Sequence, residues 1–262
     1  MEAVMTHLNM KRQLFDSRRY HPEPTSEEVL KELIAYVIIR AQSGPVSTTH
    51  RALARKFAPG DTIVDFNYDL LLENAMAAEG RFDEAGYCLP FYQVVTPDGV
   101  RAMEHDQAKM QVLKLHGSLN WGRCIECTSL ILITNPLRLL RLFPSREPSL
   151  ECPRCNRKGS LELMIVPPLQ TKEYADNPFR FLWLYSERKT IGTDRIVSIG
   201  YSFSDNDRAA EALLRTSVGS QTRISLDVVT TPDSRTQLER RYHKVFPNAE
   251  ISWFDSLVDY VR

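Results

Sequence analysis

The chain has no excess of charge of either sign. Lys plus Arg and Asp plus Glu both number 33, so the formal charge is zero. A neutral balance supplies no basic field for nucleic acid and no acidic tail, so no nucleic-acid partner is indicated. No apolar run approaches the roughly 18 residues that a bilayer-spanning helix needs, and no membrane association is expected. The start, MEAVMTHLNMKRQLF, lacks the apolar stretch of a secretory signal, and Glu2 and Asp16 argue against a transit peptide. The cytoplasm is the expected location. Internal repeats and low-complexity tracts are also missing. What remains is 43% hydrophobic and 25% charged, ordinary for a globular chain with a real core.

Cysteine is scarce, but its placement is informative. Of five cysteines, four form the pairs Cys124-Ile-Glu-Cys127 and Cys152-Pro-Arg-Cys155, 24 residues apart; Cys88 stands alone. Each C-x-x-C turn sets two thiolates on one side of a knuckle, and two knuckles complete a tetrahedron around Zn2+. Four thiolates leave no open coordination position, so such a zinc is structural. A redox pair or chance thiols are the alternatives, and chance seldom supplies two correctly spaced pairs.

Hydrophobic periodicity organises the rest. Thr25-Ser26-Glu27-Glu28 is a capping-box start, followed by helical spacing to about Gln42. A second helix is expected over about Thr48–Phe57, then a strand Thr62–Phe66 and a helix from about Leu70 to Ala78. Residues 83–109 read as an irregular or hairpin segment, and MQVLKLHG as a short buried strand. LELMIVPP is a strand ended by Pro167-Pro168, and NPFRFLWLYSERK is a helix. The tail alternates: RIVSIGYSF, a helix capped by Ser204 with Asp207 three residues on, RISLDVVTT, a helix opening on Pro232, then AEISWF and a short helix. Continuous apolar strands alternating with helices mean a parallel sheet covered on both faces. The expected fold is α/β, a Rossmann-like central parallel sheet with helices on both faces and an inserted four-cysteine zinc ribbon. Its expected division is 1–120 and 161–262 for the two parts of the Rossmann-like domain, with 121–160 as the insert.

In a doubly wound sheet, ligands bind beyond the carboxyl ends of the strands. Three strand ends here are polar. Asp65-Phe66-Asn67-Tyr68-Asp69 joins a strand to a helix. Asn67 and Asp69 suit a turn and a helix cap as well as a ligand. Asp65, inside an apolar strand, needs a partner. His116 is the one of six histidines that follows an apolar strand and precedes a glycine. Gly200-Tyr201-Ser202 adds backbone amides and a hydroxyl suited to a ribose or phosphate.

FNYDLLLE, KLHGSLNW, the paired cysteines, IVPPLQTK and IGYSFSDND, in that order, resemble the sirtuin-like domains over roughly residues 47 to 232. The likeness is nearest to the bacterial branch that includes NAD+-hydrolysing antiphage effectors. It implies a Rossmann-type domain that binds NAD+ as substrate, with a small zinc-bearing module. It further implies that Asn67 holds the water or substrate near the nicotinamide ribose and that Asp69 shapes the nicotinamide pocket. His116 would be the catalytic base on the ribose hydroxyls, and Gly200 and Ser202 would contact the cofactor's ribose and phosphate. Cys124, Cys127, Cys152 and Cys155 match the zinc ligands. The family's glycine-rich phosphate loop has no counterpart, since no glycine precedes Gly44. NAD+ hydrolysis is the leading expectation. A catalytically impaired nucleotide-binding protein and an NAD+-dependent deacylase are the alternatives.

Overall fold

The computed structural model describes residues 25–103, 110–140, 150–167, 178–203, 208–218 and 224–262. Ser204, Asp207 and Pro168, named above, lie outside them. Helix α1 (Ser26–Ala41) begins with the expected box. Thr25 Oγ1 accepts the Glu28 N–H at 3.2 Å, and Glu28 Oε2 accepts the Thr25 N–H at 2.7 Å. Helix α2 (Thr48–Lys56) precedes strand β1 (Thr62–Asp65) and helix α3 (Leu71–Ala78). The hairpin expected within 83–109 is β2 (Gln93–Thr96) with β3 (Gly99–Ala102).

Strand β4 (Gln111–Lys114) pairs in parallel with β1. The chain does not then enter a loop. After the two-residue link Leu115-His116 it runs into β5 (Gly117–Cys124), followed by β6 (Leu130–Ile133) and β7 (Leu161–Ile165). These complete a five-stranded mixed sheet in the order β3-β2-β6-β5-β7. Period-two alternation fills both of its faces. Leu130 and Leu132, with Val94, Trp121 and Met164, join a core that includes Leu113, Leu115, Phe179 and Leu182. Ile131 and Ile133, with Val95, Leu119 and Ile165, face the other way onto Ala35 and Ile39 of α1. Gly117 permits the close approach of β5 to β7. Its φ is +87°, and a Cβ there would lie 2.1 Å from the Met164 carbonyl oxygen.

Helix α4 (Phe179–Thr190) leads to β8 (Arg195–Ile199), α5 (Arg208–Val218), β9 (Ile224–Val229), α6 (Pro232–Val245), β10 (Ala249–Phe254) and α7 (Leu257–Val261). The three strands form a parallel sheet, β10-β9-β8. Ile224, Leu226 and Val228 pack beneath Leu238, Tyr242 and Val245 of α6. On the opposite face Val229 meets Leu53 of α2 and Tyr260 of α7. The expected parallel α/β core is therefore present with helices on both faces. Among the described residues its strands form two sheets, and no ladder joins β1 to β8. RIVSI reads as a buried strand, yet Val197 and Ile199 are each 38% exposed; among the described residues β8 pairs with β9 alone.

Candidate active site and metal centre

The three polar strand ends converge. Beyond β1, the chain turns at Phe66 and Asn67, and Asp65 Oδ1 accepts the Asn67 N–H at 2.8 Å. Beyond β4, His116 is buried, and its Nδ1 lies 3.1 Å from the Phe66 carbonyl oxygen. A carbonyl only accepts, so Nδ1 carries the proton and donates; in a neutral imidazole so held, Nε2 is the nitrogen without one. Beyond β8, the chain leaves at Gly200 (φ +65°), and the Tyr201 ring stacks on Phe66 at 5.0 Å between centroids. Phe66, Trp183 and Tyr68 surround the imidazole at 5.5, 6.3 and 6.5 Å. The Tyr68 hydroxyl is fixed by donating to the Val166 carbonyl at 2.5 Å. Asn67, Gly200 and Ser202 are exposed around this aromatic floor, and Asp69 is half-buried.

Asp69 performs a local task. Its Oδ1 accepts the Leu71 N–H at 3.0 Å, an Asx-type turn that feeds α3, whose N-cap residue is Leu70 and has no side-chain cap. Asp65 has the partner its position demands. Lys114, opposite it in the β1–β4 register, is fully buried and donates to Asp65 Oδ2 at 2.7 Å. The same ammonium reaches Glu73 Oε1 at 2.9 Å and the Asp69 carbonyl oxygen at 2.7 Å. Burial alone would lower the Lys114 pKa, but the Asp65 and Glu73 carboxylates outweigh it and raise it. Burial raises the Glu73 carboxyl above its ordinary range, with Lys114 opposing. Sequence reasoning missed Lys114, Glu73 and the aromatic floor. The signal for Lys114 was a cation between Leu113 and Leu115 in an apolar run.

The four cysteines come together through two matching turns. Cys124 and Cys152 carbonyls each accept the N–H of the fourth residue on, Thr128 and Asn156, at 2.8 Å, and both of those residues adopt φ of 59°. The four Sγ atoms lie within 4.8 Å of one another. Ser160 Oγ stands 3.3 Å from Cys124 Sγ, and Ser129 Oγ 3.3 Å from Cys127 Sγ. Burial would raise the Cys124 thiol, but the Ser160 hydroxyl and the N–H groups of Cys127 and Glu126 bring it down to about 6. Four converging sulfurs with hydroxyls behind them fit a structural Zn2+, which they would hold closed to substrate.

The chain matches no protein-family model, and no curated protein matches it. Solved structures do. A Sir2 homologue in complex with NAD is 18% identical and superposes with a TM-score of 0.50 over 90% of this chain and 73% of its own. The fold is sirtuin-like. A Sir2 homologue mutant with 2'-O-acetyl ADP ribose is 16% identical, with a TM-score of 0.48 over 90% of this chain and 71% of its own. A Sir2 complex with a p53 peptide and NAD+ is 13% identical, with a TM-score of 0.46 over 93% and 84%. Among the described residues no helix is long and apolar enough to cross a membrane.

Proposed function

We propose that the chain is a cytoplasmic, sirtuin-like enzyme that binds NAD+ and hydrolyses the bond between its nicotinamide and ribose, within the bacterial branch of NAD+-hydrolysing antiphage effectors. The observation that carries the reading is the hydrogen bond from His116 Nδ1 to the Phe66 carbonyl. It fixes the His116 ring at the strand ends where Asn67 and Gly200–Ser202 also stand, in the tautomer that would leave Nε2 to act as a base. Cleavage passes through an oxocarbenium-like state, as other glycosyl transfers do. Nicotinamide leaves with the electron pair of the C–N bond, and water adds to the ribose carbon. NAD+ and water thus give nicotinamide, ADP-ribose and one proton. His116 takes that proton, and Asn67 orients the water beside the nicotinamide ribose. Asp69 bounds the nicotinamide pocket, while Gly200 and Ser202 meet the ribose and phosphate. Cys124, Cys127, Cys152 and Cys155 would hold Zn2+ with no open coordination position, so it would serve the fold of the cysteine module and not the step.

The test is chromatography of NAD+ incubated with the purified, zinc-loaded chain. Release of nicotinamide and ADP-ribose is expected, falling by about 10²–10⁴-fold in His116→Ala and also lost in Asn67→Ala. Intact NAD+ with the folded wild type would overturn the reading. Heat on titration with ADP-ribose but no turnover would leave a nucleotide-binding protein, and turnover only with an acetylated peptide would leave a deacylase.

A further inference from the structure

We infer that Lys114 is a positioning residue that sets the loop carrying Asn67, rather than a cation kept only for stability. The inference rests on the reading just given for what Asn67 does, but its geometry stands independently. An ammonium has three donors. Those of Lys114 go to Asp65 Oδ2 at the start of the strand-to-helix loop, to the Asp69 carbonyl at its end, and to Glu73 Oε1 on α3. Two of the three therefore bracket residues 65–69. The second oxygen of Asp65 accepts the Asn67 N–H at 2.8 Å, so the chain of contacts runs from Lys114 through Asp65 to the backbone of Asn67.

Stability explains this poorly. Buried ion pairs are often matched by well-packed apolar side chains of similar volume. On the same face of β4, Val112 packs with Ala75 and Met76 of α3 without any such network. An apolar residue at 114 could do the same, but it could not reach both ends of the loop. The Glu73 contact is of a different kind. It touches Lys114 and balances charge without touching the loop. Further along, the Tyr87 hydroxyl donates to Glu73 Oε1 at 3.4 Å and accepts from Asn120 Nδ2 at 3.1 Å, which ties the anion to the fixed β5 strand.

The division of roles gives a test. Lys114→Met, Asp65→Asn and Glu73→Gln are compared in the full zinc-loaded chain by three measurements: hydrogen–deuterium exchange of the segment containing Asn67, NAD+ turnover, and thermal midpoint. In Lys114→Met and Asp65→Asn the Asn67 amide is expected to exchange about tenfold faster or more. Exchange within β9 should stay unchanged, and kcat should fall more than KM changes. In Glu73→Gln the midpoint shifts, while Asn67 exchange and kcat stay within about twofold of wild type. Should Lys114→Met fail to fold, Lys114→Met/Glu73→Gln removes one uncompensated carboxylate and is read the same way. Unchanged Asn67 exchange in a folded Lys114 variant overturns the inference. So does a loss that simply tracks the midpoint across all three. If wild type does not consume NAD+, the proposed activity fails while the exchange data still decide whether Lys114 orders the loop.

Discussion

Removing the metal from the cysteine module is the perturbation whose size follows most directly from the structure. A tetrahedral zinc with Zn–S bonds of about 2.3 Å spaces its sulfurs by about 3.8 Å. Here Cys124 and Cys155 Sγ are 3.6 Å apart, and Cys127 and Cys152 Sγ are 3.7 Å apart. Those two spacings match the tetrahedron, and all four sulfurs lie within 4.8 Å of one another. Structural zinc sites contribute on the order of 10 kcal/mol or more to folding, comparable with the roughly 5–15 kcal/mol that holds a whole domain together. The cost of removal would not stay local. Cys124 and Cys152 are fully buried in the core that contains Leu150, Leu161 and Ile131, and α1 lies on that core through Ala35 and Ile39. Plasma mass spectrometry should find one zinc per chain. A strong chelator should lower the thermal midpoint by about 10 °C or more, given that 1 kcal/mol moves it by a few degrees at this size. Cys152→Ser should behave like the chelated protein. A folded chain that carries no zinc when purified with zinc present, and whose midpoint ignores the chelator, would refute the reasoning.

Three further outcomes are expected. Trp121→Ala should lose about 3–5 kcal/mol in urea unfolding, since the indole is fully buried with Tyr87 and Phe91 at 5.2 and 5.7 Å; a loss under about 1 kcal/mol would mean that the site collapses freely. Gly117→Ala should destabilise by about 2 kcal/mol or more, because backbone at positive φ and the Met164 carbonyl at 2.1 Å both oppose a Cβ; an unchanged urea midpoint would contradict the β5–β7 approach. The stability difference between wild type and Glu73→Gln should shrink as pH rises above about 4. Burial raises the Glu73 pKa in the fold, so the folded state holds the proton more tightly than the unfolded one, and its contribution is lost as that proton leaves. Paired urea titrations from pH 4 to 8 measure this, and a difference growing in favour of wild type with pH would show that the ion pair outweighs burial.

Much of the fold could be read along the chain because its signals are local. The Thr25 capping box and Pro232 opening α6 each depend on residues a few positions apart. Neighbour relations were less legible. MQVLKLHG reads as one short strand, but a second strand, β5, begins at its Gly117 and runs to Cys124, across the boundary drawn at residue 120. Nothing local distinguishes an antiparallel continuation from a turn once Gly117 intervenes. RIVSI likewise signals burial, but a strand's side chains are buried only where other layers cover its faces, and sequence does not state which elements do so.

The site divides along the same line. Asp65 announced that it needed a partner, since a charge in an apolar strand is costly alone. The partner sits 49 positions away, and only the parallel register pairs them. That register does two things at once. It sets Lys114 against Asp65, and by carrying the chain two residues further it brings His116 Nδ1 to the Phe66 carbonyl, one residue before Asn67. Side chains alternate across a strand, so a slip of one residue between β1 and β4 would turn Lys114 away from Asp65 and separate the imidazole from Phe66 together. The buried ion pair and the candidate base are therefore consequences of one alignment. This is why a charge at the end of β4, with no place in the chemistry proposed, bears on the residues that have one.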